Sequence, residues 1–587
     1  MKLNELFLKF LVWRIKNVRT RNFVLFLSIL IGAVSGLAAV VLKTVVHYIQ
    51  EFLTGGHFSN FRFMIFPLIG LVLTIIISRY LIKEKYGHGI TDIIFSISKR
   101  SGLIEKSRMY SRMITSSLTV GFGGSVGLEA PIVVTGSAIG SNLSQLMHID
   151  YANRTILVAC GAGASISAIF NSPIAGVLFC FEVIMSDMTI TGFIPLLIAS
   201  VSGSLVSMAL LGNDIMFSFR LKEGFNAVDT PFYILLGIGA GLLSLYFTRV
   251  NYWVENKLWK IKNFLFRAIA GGILLGLIIY LLPPIYGEGY DSIKLLLNGQ
   301  QNGLSNNFGW LGLTEPTLMT IFLSAILLLK PLATSLTIYA GGSGGIFAPS
   351  LFMGGIAGYL FSLVVNTLGG HEVINPETFT LVGMCGIMSG VLHAPLTGIF
   401  LIAEITGGYT LIVPLMIVSA ISFYTIIYYE QYSIYTKRLF EKGVFNPYDK
   451  DKQVLIFLNL EKLIETDLVT IQQESKLREL IQVVRISRRN IFPVINEKNE
   501  LVGIITLDDF RDIMFDEDAW DKVVVRNLMH SPPEIVDMTD TMNMVMSKFE
   551  STGAWNLPVV RNGNYVGFVS KSSIFNAYRS NLRHRSF

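Results

Sequence analysis

Charge is scarce in this sequence. Only 15% of its 587 residues are Asp, Glu, Lys or Arg, while 52% are hydrophobic and the mean hydropathy is +0.55. A soluble chain of this length needs far more charge to cover its surface, which excludes a soluble fold for most of it. Cysteine is scarce too. Cys160, Cys180 and Cys385 all fall in apolar segments and read as small buried hydrophobes. No Cys/His spacing fits a metal site. A cleavable signal pattern is absent, because the N-terminal basic region is long and no small-residue cleavage site follows a short apolar core. The formal net charge of +6 is modest. It reads as membrane topology and not as nucleic-acid binding.

What the chain does have is apolar length. Runs such as Phe23–Leu42, Phe63–Ile82, Ala268–Leu282 and Val413–Tyr429 approach the roughly 20 residues of helix that cross a bilayer. Others are shorter and broken by Gly and Pro. Helices that do not fully cross are tolerated only where they line a cavity or pack inside protein, so the pattern predicts an all-α polytopic membrane domain with broken helices. Lys2, Lys9, Arg14, Lys16, Arg19 and Arg21 precede the first span, against Glu5 alone. The positive-inside tendency puts this end in the cytoplasm.

The membrane region repeats itself. "FNSPIAGVLFCFE" (170–182) resembles "LHAPLTGIFLIAE" (392–404) at an offset of 222 residues, and "GLEAP" (127–131) recurs as "GIFAP" (345–349). Two motifs in one order at similar offset indicate a duplicated unit, with halves at about 23–213 and 230–440. Duplicated membrane units often hold a binding site between broken helices of both halves. Each motif sets Gly before, and Pro within, a helix's first turn. A helix start carries unpaired N–H groups and about half a positive charge, so helix starts converging from both halves suit an anion. Glu129 is then an acid with no basic neighbour in sequence, and its counterpart position holds Phe347.

From about Asn446 charges become frequent. A polar linker (446–461) leads into two soluble units, 462–520 and 521–587, each reading as an extended piece, an amphipathic helix, a hairpin and a helix. Pro493 aligns with Pro558 and Gly503 with Gly567. Neither unit alone is long enough for a large core, so the two are expected to pack as a pair.

With these motifs in order, the sequence resembles the CLC family of chloride channels and chloride/proton exchangers, of prokaryotic type, with a C-terminal tandem of CBS domains. The resemblance implies a membrane domain of two inverted repeats, an α/β CBS pair in the cytoplasm, and a homodimer with one pore per subunit in the cell (inner) membrane. The family's first anion motif, GSGIP, is matched by "GHGIT" (87–91), with His88 for serine and Thr91 for proline. The second keeps Glu129 as the gating acid, but Leu128 replaces a basic residue and Ala130 a glycine. The third, GxFxP, is intact from Gly345 to Pro349. The implied anion-binding set is Gly87, His88, Gly89, Ile90, Gly127, Leu128, Gly345, Ile346 and Phe347, with Tyr432 aligned to the pore tyrosine. His88 either donates an N–H to the ion or turns away and leaves the backbone to shape the site. Where exchangers carry a second, proton-handling glutamate this chain has Val183, which matches the channel pattern. Glu182 and Glu404 read as helix-end carboxylates bonded to backbone N–H groups. Lys330, alone in an apolar stretch, either raises the local potential for anions or joins a structural ion pair.

CBS pairs often bind adenine nucleotides. The first unit has the ribose-contacting signature whole, with Thr506 and Asp509; the second has Ser570 but Ser573 in place of Asp. The expectation is therefore transport of chloride or a similar anion, not an enzyme, with no required cofactor and a candidate nucleotide site in the tail. A chloride/proton antiporter is the alternative. A CBS-linked magnesium channel would want several carboxylates on one cavity. A membrane enzyme lacks any nucleophile–base pair, and "GIGAGL" (237–242) has no βαβ context.

Overall fold

The apolar runs fold into helices of very uneven length in the computed structural model, which describes residues 9–11, 13–14, 16–54, 62–82, 89–185, 190–212, 225–300, 316–441 and 458–585. The chain divides into two compact units between residues 444 and 445. In the first, α1 (Thr20–Thr54) has 35 residues, about 50 Å at 1.5 Å per residue. It is followed by α2 (Arg62–Ile76), α3 (Ile90–Lys99), α4 (Ser111–Gly121), α5 (Glu129–Leu146), α6 (Tyr151–Phe170), α7 (Pro173–Phe179) and α8 (Ile190–Leu211). The second half runs α9 (Thr230–Leu258), α10 (Phe264–Leu281), α11 (Tyr290–Leu297), α12 (Pro316–Tyr339), α13 (Phe347–Gly369), α14 (Pro376–Leu392), α15 (Pro395–Ile405), α16 (Ile412–Tyr429) and α17 (Lys437–Glu441). Among the described residues nine helices are long and apolar enough to cross a membrane, and others, such as α7 and α15, are too short.

Proline explains where the short helices begin. Pro173, Pro376 and Pro395 each sit in a first turn, where the missing N–H would have had no intrahelical partner. Glycine explains how closely the helices pack. A Cβ on Gly136 would run into the Gly161 carbonyl, and one on Gly354 into the Gly383 carbonyl, so α5–α6 and α13–α14 meet backbone to backbone in the same way. Small residues allow such contact where lipid supplies no hydrophobic drive. Buried hydroxyls bond back to their own helix, as Thr74 Oγ1 does to Gly70 O at 2.7 Å and Ser244 Oγ to Ala240 O at 2.8 Å.

The two halves meet reciprocally, as a two-fold relation requires. Glu182 accepts the N–H groups of Leu396 (2.9 Å) and Thr397 (2.7 Å) and the Thr397 hydroxyl (2.6 Å), all at the start of α15. Glu404 accepts those of Ile174 (3.1 Å) and Ala175 (3.0 Å) at the start of α7. Each carboxylate caps the other half's broken helix and satisfies two donors the helix cannot.

The second unit holds two like sheets. In the first, β1 (Ile471–Gln472) runs parallel to β2 (Ile491–Ile495), which pairs antiparallel with β3 (Leu501–Thr506), and α18 (Leu477–Ile486) connects β1 to β2. In the second, β4 (Val536–Asp537), α19 (Met542–Thr552), β5 (Asn556–Arg561) and β6 (Asn564–Ser570) repeat that order before α20 (Lys571–Arg585). The β5–β6 turn puts Asn562 and Gly563 at positive φ, the hairpin turn that asparagine and glycine favour. Each sheet has its own core, around Phe492 and Phe510 in the first and Phe549 and Val559 in the second. A third cluster of Leu468, Ile504 and Phe568 joins them, so the units do pack as a pair.

Candidate functional site

The two repeated motifs touch each other. Gly127 N–H donates to Gly345 O at 2.9 Å, and Gly345 N–H donates to Gly127 O at 2.8 Å. This two-residue bridge fixes the starts of α5 and α13 side by side. Neither start receives a side-chain cap, and nor does that of α3, whose preceding Gly89 has φ +61°. Gly89, Ile90, Ala130, Gly345 and Ile346 line one cavity of about 370 Å³. Three helix starts from separate parts of the sequence thus converge, and their partial positive charges add at one place.

Glu129 stands at that place. It is 1% exposed. Its Oε1 accepts the Tyr290 hydroxyl at 2.9 Å, and its Oε2 has no hydrogen-bond partner among the described residues. A Cβ on Gly127 would strike that oxygen, so the carboxylate lies folded back over the bridge. The preceding residue, Leu128, lines a second cavity of about 920 Å³ with Lys43, His47, Phe170, Glu288 and Lys294. Glu129 therefore sits between two cavities whose walls meet on either side of it, at Leu128 and at Ala130.

Phe347, the counterpart of Glu129, is fully buried and stacks on Phe170 with centroids 5.3 Å apart. Val183 is buried in a turn of π-helix after α7. Lys330 is fully buried, donates to the carbonyls of Ile285 and Gly287 at 3.3 Å each, and lies 4.6 Å from the centre of the Phe352 ring. It braces the loop that precedes α11. Gly87 and His88 lie outside the described residues.

Tyr432 is not at the site. It is half-buried and stacks on Phe440 at 4.1 Å. Tyr435 lines the smaller cavity in its stead, 7% exposed, with a hydroxyl that has no hydrogen-bond partner among the described residues. The cause is the chain after α16, where Thr436 and Lys437 N–H groups both bond to Ser433 O and the resulting turn carries Tyr435 inward. Thr91 Oγ1 bonds to Tyr435 O at 3.0 Å and ties that turn to α3. The motif alignment also missed Glu288 and Tyr290, which have no sequence relation to it.

In the second unit Asp509 Oδ2 accepts from Thr506 N–H (2.6 Å) and its hydroxyl (2.8 Å), and pairs with His530 at 3.2 Å. Ser570 instead donates to Glu465 at 2.6 Å and accepts Ser573 N–H at 3.0 Å. Ser573 stands where the first unit has Asp509, and the acid at that corner is Glu465, brought in from another segment.

The sequence model described as voltage gated chloride channel matches residues 69–426, and the CBS domain model matches 460–516 and 525–580. The chain belongs to the voltage-gated chloride channel (CLC) family of anion transporters and channels and carries a tandem of CBS domains. It is 24% identical to chloride channel protein CLC-f of Arabidopsis thaliana, covering 96% of this chain and 81% of that protein. It is 26% identical to the H(+)/Cl(-) exchange transporter ClcA of Vibrio cholerae, covering 68% and 84%. Among solved structures, a slow cyanobacterial Cl-/H+ antiporter aligns with a TM-score of 0.62 at 21% identity, over 74% of this chain and all of that one. A eukaryotic CLC transporter aligns at 0.60 and 19%, over 94% and 97%. These structural likenesses carry the fold: two inverted repeats of broken helices.

Proposed function

We propose that the protein conducts chloride or a similar small anion across the membrane, one pathway per subunit of a homodimer, with Glu129 as the gate. The observation that carries this reading is Glu129 itself, a buried carboxylate between two cavities at the meeting of three helix starts. An unpaired ion at membrane depth costs at least ~2.5–3.5 kcal/mol, so those N–H groups must serve whichever anion is present. The carboxylate occupies the place of a transported ion and must be protonated or displaced for one to pass.

The geometry also supports a direction. The C-terminal part of α1 lines the larger cavity, and the basic segment precedes its other end. The larger cavity is thus the outer vestibule and the smaller one the cytoplasmic. Arg112, Arg267 and Arg438 line the latter, where they draw anions in; Arg438 also contacts the carboxylate of Glu255. The CBS pair faces the cytoplasm and regulates transport, with an adenine nucleotide at Thr506 and Asp509 as its candidate ligand.

Val183 favours a channel over an exchanger, because valine cannot carry a proton. The exchanger reading draws support from the Vibrio cholerae relative, an H(+)/Cl(-) exchange transporter. A magnesium channel loses its acids, since Glu182 and Glu404 are engaged at helix starts. Reconstituted protein should pass chloride, and not magnesium, under a gradient without moving protons uphill. Tight stoichiometric proton movement would replace the channel by the exchanger, and magnesium flux without chloride flux would overturn the whole reading.

A further inference from the structure

One acid in the outer vestibule has a contact that the gate alone does not explain. Glu288 Oε1 accepts the N–H of Leu128 at 3.1 Å. Leu128 is the residue on which α5 begins, so this donor belongs to the helix start that an anion arriving from the vestibule meets first. Glu288 lines the 920 Å³ cavity, so the residue borders the vestibule.

The loop holds Glu288 there firmly. Gly287 and Gly289 on either side have φ +61° and +89°, a region that favours glycine, and a Cβ on Gly289 would run into the Phe352 ring. Gly287 N–H bonds to Gly123 O at 3.3 Å, and Lys330 holds the carbonyls of Ile285 and Gly287. Two residues on, Tyr290 holds Glu129. The segment from Glu288 to Tyr290 thus grips two successive residues of the α5 start, one through its backbone and the next through its side chain.

We propose that Glu288 is a second tethered carboxylate of the anion pathway, which occupies the Leu128 N–H and limits access of anions from the vestibule to the site at Glu129. This rests on the anion-transport reading. Around Glu288 the charged and titratable groups are Lys43, His47, Tyr48 and Glu51 from α1, Tyr280 from α10, Tyr290, Asp291 and Lys294 from α11, and Glu129 from α5. Tyr286 lines the same vestibule and Lys330 braces the loop from α12. Basic and acidic groups are mixed, so the carboxylates nearest the Leu128 N–H are Glu288, which accepts it, and Glu129, which follows it in the chain; a Glu129→Gln background isolates the charge of Glu288.

Glu288→Gln separates this role from a purely structural cap, because the amide oxygen can still accept the Leu128 N–H while the charge is gone. In liposomes at neutral pH, Glu288→Gln is expected to raise chloride efflux at least threefold over wild type. In a Glu129→Gln background it should tighten chloride binding, read by titration calorimetry, at least fivefold. Unchanged efflux together with unchanged affinity would overturn the proposal and leave Glu288 as a cap. Should Glu288→Gln fail to yield folded protein, Glu288→Ala carries the same expectation. Failure of both to fold would assign Glu288 to the fold and also overturn it. Wild-type efflux no faster than protein-free liposomes would instead defeat the anion-transport reading itself.

Discussion

Removing the hydroxyl of Tyr290 should loosen the gate without touching the acid that forms it. The Tyr290 hydroxyl reaches Glu129 Oε1 at 2.9 Å, within the usual range for an O–H···O bond, and Tyr290 is 8% exposed. Tyr290→Phe keeps the ring and its packing and deletes only the donor. A hydrogen bond to a charged group contributes about 1.5–3 kcal/mol, and about 1.4 kcal/mol is a factor of ten in an equilibrium. The seated carboxylate should therefore lose about ten- to hundredfold in occupancy relative to the displaced one. Chloride efflux from liposomes at neutral pH, with the membrane potential clamped, should rise at least fivefold. The effect must vanish in a Glu129→Ala background, which removes the acceptor, because residues that act through one contact are not additive. Efflux within twofold of wild type, or an equal rise in both backgrounds, would refute the reasoning.

Other consequences are as specific. Glu404→Ala leaves the Ile174 and Ala175 N–H groups unpaired at the start of α7, which should destabilise the membrane unit by about 1–3 kcal/mol, seen as a lower midpoint in detergent thermal unfolding. Tyr435→Phe should weaken chloride binding by calorimetry a few-fold, whereas Tyr432→Phe, whose ring stacks on Phe440, should leave it unchanged. In the tail, ATP should raise the melting temperature of the full chain, and Asp509→Asn should abolish that shift while Ser570→Ala does not. A shift equally insensitive to both would remove the nucleotide from Thr506 and Asp509.

Much of the architecture was legible because its cause is local. Pro173 and Pro395 mark helix starts whatever surrounds them, and the same Pro–Gly–Glu spacing occurring twice, at 173, 176 and 182 and at 395, 398 and 404, reveals the duplication. That reading carried through to the reciprocal caps of Glu182 and Glu404, although only the fold shows that each caps the other half's helix. The bridge between Gly127 and Gly345 likewise joins two motifs recognisable in sequence as a pair, but not as a contact. The rest depends on contacts between distant segments. Glu288 and Tyr290 lie in "GEGYDS", about 160 residues from Glu129, where no periodicity points to the α5 start. Tyr432 and Tyr435 are three residues apart, and which one turns inward depends on how the chain leaves α16, which alignment of a single tyrosine does not resolve. In the tail, the Thr506–Asp509 spacing was legible as a motif, while the tie of Ser570 to Glu465 is a tertiary contact.

The central claim is that Glu129 is a tethered stand-in for the transported anion. Its most direct test is chloride efflux from liposomes containing wild-type or Glu129→Gln protein, measured from acid to neutral pH. Glutamine keeps the shape and loses the titrating charge. The account predicts that wild-type efflux rises as the pH falls, while Glu129→Gln gives substantial efflux that no longer depends on pH. Efflux from the variant that stayed as strongly gated by pH as in the wild type would contradict it.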